Sequence, residues 1–193
     1  MARSVKEIRI QLPHIDLSAR VYGPPDGQPV LALHGWLDNA MTFELLAPKL
    51  PGVQIVALDM AGHGFSGRRA TGAGYQLWDF ATDALLAAQE LGWSRFSILG
   101  HSLGAIIAVL LAASVPERIE RLALIDGLVP DTGEAEQSPK KLGEALLAQI
   151  DAQTKKKTIY TSQEQAVLAR MRGLLPVTRQ AAELLVSRGL SPV

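Results

Sequence analysis

Gly100-His101-Ser102-Leu103-Gly104 sets a single hydroxyl between two glycines. The apolar run Phe96 to Leu99 leads into it, and an almost wholly apolar segment, Leu103 to Ala113, follows. This is a strand, a very tight turn and a buried helix, with Ser102 at the apex. The spacing Gly-x-Ser-x-Gly is that of a nucleophile elbow. Glycine two residues before and two residues after the serine leaves room where strand and helix pass closely, and such a turn strains the backbone at the serine itself. The hydroxyl is then held out of the sheet, at the positive end of a helix dipole. The chemistry is attack on a carbonyl. A serine hydroxyl is a poor nucleophile alone, so it needs a base and an acid that orients the base. The plainer alternative, a serine that only caps a helix, leaves both glycines unexplained.

Other polar residues stand where apolar runs end. His34-Gly35-Trp36 follows Val30 to Leu33, Asp59 follows Val53 to Leu58, and Asp126-Gly127 follows Ile119 to Ile125. Short continuous apolar runs of this kind mark strands covered on both faces. Upstream, Glu7 to Leu12 and Ile15 to Tyr22 alternate apolar and polar residues and predict an antiparallel pair. Helical spacing predicts helices over about Met41 to Leu50, with Asn39 as cap, and over about Tyr75 to Leu91. Strands alternating with helices imply βαβ units and a mostly parallel sheet of about six strands. Sites in such sheets lie at the carboxyl ends of the strands, which gathers His34-Gly35-Trp36, Asp59, Ser102 and Asp126 along one edge. After Gly127 the pattern changes. Lys140 to Ala152, Ser162 to Gly173 and Thr178 to Gly189 read as three amphipathic helices with no strand between them, a lid over the strand ends. Its Leu146, Leu147, Ile150, Leu168, Met171, Leu184 and Leu185 suggest an apolar roof, and equally the packing faces those helices need. Lys155-Lys156-Lys157 reads as a solvated linker, or as an attractor of an anionic partner.

Composition removes several function classes. The 193 residues carry 19 basic and 19 acidic side chains, so no global field points to nucleic acid or a membrane surface. Cysteine is absent, which excludes thiol catalysis and thiolate metal sites. No pair of histidines has ligand spacing, so no metal and no cofactor are expected. The longest apolar run has eleven residues, Leu103 to Ala113, too short to span a bilayer, and Met1 to Pro13 lacks the apolar core of a signal peptide. A cytoplasmic protein is the default. Gly62-His63-Gly64-Phe65-Ser66-Gly67 matches the dinucleotide fingerprint Gly-x-Gly-x-x-Gly, but loop rather than helix follows it, so no helix N-terminus would meet a pyrophosphate.

Taken together, Leu33 to Asn39, Leu58 to Ser66 and Phe96 to Gly104 resemble the α/β-hydrolase superfamily in order and spacing, and within it the serine hydrolase-like proteins with a helical cap. The resemblance covers residues 5 to 127. It implies an α/β-hydrolase core over 1–127 and a helical cap over 128–193. It implies that Ser102 is the nucleophile of a carboxylesterase-like hydrolase acting on a small ester or related acyl substrate. The amides of Trp36 and Leu103 would form the oxyanion hole. It also implies that His34 organises the oxyanion loop, that His63 packs the Gly-His-Gly turn, that His101 points away from substrate, and that Asp59 anchors its own loop. The family pattern carries two further strands after the lid, which bring the acid and the histidine base. On that pattern this chain reads as a C-terminally truncated fragment without its base. Asp126 is the candidate acid, or else lines the pocket. The alternative is a non-catalytic or partner-dependent binding protein that keeps the elbow. With no strand beyond it, Leu122 to Ile125 is expected to leave a bare sheet edge.

Overall fold

The computed structural model describes residues 5–70, 72–129, 133–154, 158–173 and 176–190. Six strands form one sheet: β1 (Lys6–Gln11), β2 (Asp16–Tyr22), β3 (Gln28–Leu33), β4 (Val53–Leu58), β5 (Phe96–His101) and β6 (Ile119–Ile125). Their order across the sheet is β1-β2-β4-β3-β5-β6. β1 and β2 pair antiparallel, β2 pairs antiparallel with β4, and β4, β3, β5 and β6 run parallel. This is the mostly parallel sheet that the alternation of apolar runs predicts, in line with the α/β-hydrolase core that the resemblance implies.

The two faces of the sheet follow from the period of two in its strands. Leu31, Leu33, Val56, Leu58, Phe96 and Ile98 turn to one face, against α1 (Leu77–Glu90) and α2 (Leu103–Ser114). Ala32, Ile55, Ala57 and Leu99 turn to the other, against Phe43 and Ala47. Phe43 and Phe96 are fully buried, and each large side chain so placed contributes about 1.5–3 kcal/mol. The small residues of α1, Ala81, Ala84, Ala87 and Ala88, are also buried, and short side chains of this kind let a helix lie close on a sheet.

Where a helix is expected over Met41 to Leu50, the chain instead makes two 3₁₀ turns, Ala40–Phe43 and Ala47–Lys49. Pro48 accounts for the break, since its ring and its missing N–H do not fit a helix interior. Asn39 caps the first turn as expected, its side-chain oxygen accepting from the Met41 amide at 3.1 Å.

The three tail helices are α3 (Ser138–Thr154), α4 (Gln163–Met171) and α5 (Arg179–Gly189). Ser162 and Thr178 cap the last two, accepting from the amides of Gln165 and Ala181. α4 and α5 pack on each other through Ala166, Val167, Ala182 and Val186. α5 is fastened to the core by polar ties. Asn39 donates to the Leu185 carbonyl at 2.8 Å, and Arg188 bonds Asp59 and Glu7.

One expectation fails in α3 and one is met in β6. Leu146, Leu147 and Ile150 are exposed on α3, so they do not form an apolar roof. Leu122 and Ile125 are exposed on β6, which lies at the sheet edge, as the apolar run of a bare edge implies. Lys155-Lys156-Lys157 lies outside the described residues.

Candidate active site

β5 delivers Ser102 to the start of α2, with the serine at φ 49° and ψ −113°. Its neighbours show why only glycine fits beside it. A Cβ on Gly100 would lie 2.6 Å from Ala105 Cα, and one on Gly104 would lie 2.0 Å from the Leu33 carbonyl oxygen. The elbow is wedged between two strand ends. The Ser102 amide donates to the Ile125 carbonyl at 2.9 Å, and the Gly104 amide to the His34 carbonyl at 3.1 Å. The Leu103 amide lies between these two. It opens α2 and so has no acceptor one turn back within the helix.

On the facing side, Gly35, Trp36, Leu37 and Asp38 form a turn closed by the Asp38 amide donating to the Gly35 carbonyl at 3.2 Å. His34 clamps its base. The ring is fully buried; Nδ1 donates to the Gly35 carbonyl at 2.7 Å and Nε2 accepts from the Met60 amide at 3.0 Å. Burial, and then the neighbouring His63, hold its pKa down to about 3, so the ring is neutral and structural. His63 braces the same turn: Nε2 accepts from the Leu37 amide at 3.2 Å and Nδ1 donates to the Ala61 carbonyl at 3.0 Å. Its pKa is lowered by burial as well. Asp59 anchors its loop by accepting from the amides of Ala40 and Phe65, both at 2.8 Å. Burial pushes its carboxyl upward, while the Ala40 amide and Arg188 pull it down.

Among the described residues, Leu37, Ser102 and Asp126 are the non-glycine residues with positive φ. All three line one cleft of about 1110 Å³, together with Trp36, Asp38, His63 and His101. A left-handed backbone costs a non-glycine residue on the order of 1–3 kcal/mol and persists only where its surroundings over-determine it. Three such residues after β3, β5 and β6 make this cleft the candidate site. The tail helices close its far side through Ala166, Arg170, Leu185 and Val186.

These features are those of the fold family, and a family model described as alpha/beta hydrolase fold matches residues 28–157. The chain belongs to the alpha/beta hydrolase family. It is 34% identical over 199 residues to the serine hydrolase-like protein of Danio rerio, covering 100% of this chain and 60% of that protein. A crystal structure of a hypothetical protein from Pseudomonas aeruginosa PAO1 superposes with a TM-score of 0.94 at 64% identity, covering 98% of this chain and 67% of that one. E-2-(acetamidomethylene)succinate hydrolase is similar at 26% identity and a TM-score of 0.76, over 98% of this chain and 66% of that one. The chain therefore spans about 60% of the length of the curated relative.

The cleft of this alpha/beta hydrolase brings Ser102, Trp36 and Asp126 together. Asp126 is exposed. None of the four histidines bonds the Ser102 hydroxyl: His34 and His63 hold the turn, His14 pairs with Asp83 at 2.8 Å, and His101 faces Asp38. His101 departs from expectation. It lines the cleft rather than pointing away, with Nδ1 3.6 Å from the Asp38 carboxylate at the end of the Gly35–Asp38 turn.

Three residues of the site escape a sequence reading. Asp38, Arg170 and Arg188 meet across separations of 132 and 129 positions, Arg170 on Asp38 and Arg188 on Asp59. One signal was available for Arg188: it falls three residues after Leu185, on the apolar stripe of α5, where a charge is out of place.

Proposed function

We propose that the whole protein is a serine hydrolase acting on a small ester or related acyl substrate. Ser102 is the nucleophile, and the amides of Trp36 and Leu103 hold the oxyanion. The observation that carries this reading is the strained backbone at Ser102, opened by glycines that no other residue could replace. It supports an elbow maintained for reactivity, since a helix cap needs no positive φ. Serine rather than a carboxylate at this apex favours acyl chemistry over epoxide or haloalkane chemistry. Asp126 is the candidate acid from the end of β6. The helical segment after residue 127 serves as the lid that sets substrate size and polarity.

A second reading has its own support. None of the four histidines bonds the Ser102 hydroxyl, which suits a binding protein that keeps the elbow without its base. The two readings differ in one measurement. Incubation of this chain with a fluorophosphonate should give slow covalent labelling that Ser102→Ala abolishes, with little turnover of a chromogenic short-chain ester. Labelling retained in Ser102→Ala would remove Ser102 as nucleophile. Rapid Ser102-dependent ester turnover by this chain would overturn the conclusion that its histidines supply no base.

A further inference from the structure

Asp38 is 7% exposed and sits at the end of the oxyanion turn. Its two carboxylate oxygens face different elements. Oδ1 accepts from Arg170 Nη2 of α4 at 2.8 Å. Oδ2 accepts from the Thr42 hydroxyl at 3.5 Å and lies 3.6 Å from Nδ1 of His101, the residue just before Ser102, an approach just beyond hydrogen-bond length. That His101 nitrogen is buried with no hydrogen-bond partner. The only charge that nitrogen faces from the turn is Asp38. Arg170 faces the same carboxylate from α4, and neutral His34 lies behind at the end of β3.

The turn itself needs such support. Leu37 stands at φ 62°, a conformation leucine disfavours. Its amide is held by His63 and its base by His34, but both ties come from the β3–β4 side. The Gly104 amide ties the base of the turn to the elbow through the His34 carbonyl, and Asp38 is the side chain of the turn that reaches both the elbow and α4. The distance between the amides of Trp36 and Leu103 is set by how the turn sits against the elbow. A misplacement of about 1 Å can cost on the order of 10²-fold in rate.

We propose that Asp38 is a positioning residue for the oxyanion hole, its carboxylate tying the Gly35–Asp38 turn to the elbow through His101 and to α4 through Arg170. This rests on the reading of Ser102 as nucleophile and of the Trp36 amide as oxyanion donor. Asp38 does not touch substrate in this role. It fixes the amide that does. α4 then does more than roof the cleft, because docking of Arg170 holds the carboxylate in place.

Fluorophosphonate labelling of the full chain, run to saturation, separates the maximal rate from the half-saturating concentration. Asp38→Asn should lower the maximal rate about tenfold or more and leave the half-saturating concentration within about twofold. Adding His101→Asn to Asp38→Asn should cost little more, since both act through one contact. A maximal rate unchanged in Asp38→Asn, or a loss confined to half-saturation, would overturn the proposal. Hydrogen exchange provides a readout independent of reactivity. Asp38→Ala should lose amide protection in residues 36–39 and in 163–171 together, while β3 and β5 keep theirs. If the wild-type chain does not label, the hydrolase reading fails, and exchange alone decides the tie: joint loss supports it, unchanged protection in either segment overturns it.

Discussion

His34 shows how a single side chain sets a pH dependence. In the fold its pKa is held at about 3 by burial and by His63, whereas a histidine in an unfolded chain titrates near 6.5. The folded pKa is depressed, so the contribution is fully present above about pH 6.5. As pH falls toward 3 the unfolded chain takes up a proton that the fold refuses. Stability is then lost at up to about 1.4 kcal/mol per pH unit. Asp59 and Asp83, whose carboxyls are raised by burial, act in the opposite sense near the acidic end. They are common to any variant compared. His34→Gln should therefore be less stable than the parent at pH 7, having lost buried hydrogen bonds, yet show a shallower fall between pH 6 and 4. Urea midpoints measured at those pH values check this. Equal slopes would place the titrating group elsewhere. The role of His34 was legible from its place before Gly35, but the orientation of His101 was not. Nothing local in Gly100 to Gly104 says that an aspartate from another loop waits beside that ring.

At the level of elements, the elbow works by contact between backbones. Gly104 passes so near β3 that a methyl group would overlap the Leu33 carbonyl carbon at 2.4 Å and its oxygen more closely still. Gly104→Ala must push α2 off the sheet. The expected cost exceeds about 3 kcal/mol, which for a chain of this size lowers the melting temperature by roughly 10 °C. Gly143→Ala is the control, because nothing lies near its would-be Cβ; it should be neutral or mildly stabilising, as alanine suits a helix better than glycine. Calorimetry of the two variants separates crowding at the elbow from a general intolerance of added methyl groups. Elements of this kind were readable from Gly-x-Ser-x-Gly and from apolar runs, since both reflect local sterics and burial. Pro48 carries the signal for the break, which the helical spacing of Phe43, Leu46 and Leu50 masks. The roof expected from α3 failed for a different reason. Amphipathic spacing shows that a helix has an apolar face, never what that face meets, and Leu146, Leu147 and Ile150 face outward.

Across the whole molecule, charged ties join α4 and α5 to the core. Arg188 is 3% exposed; it reaches Asp59 with Nε at 2.8 Å and Glu7 with both terminal nitrogens at 3.0 and 2.9 Å. Its guanidinium also lies over the Phe65 ring, 4.4 Å from the centroid. Breaking such a pair strands Asp59, whose burial is complete, and costs about 3–5 kcal/mol. Arg188→Met should show that loss in urea unfolding, and Asp59→Asn in the same chain should restore part of it by removing the stranded charge. If the double variant is no better than the single, the cost lies in lost packing on Phe65. Sequence could not announce this pair, because its members stand 129 positions apart.

The reach of Arg188 to Glu7, over 181 positions, also fixes when the contact can form. Closing a loop of that length carries an entropic cost that must be met before the contact rewards it. The sheet can assemble from neighbours, but α5 docks on a surface that already holds β1 beside β2. The arginine clasp is therefore a late event, formed after the rate-limiting barrier. Weakening it should leave the refolding rate nearly unchanged and hasten unfolding. The clasp acts as a brake on the release of α5 from the sheet.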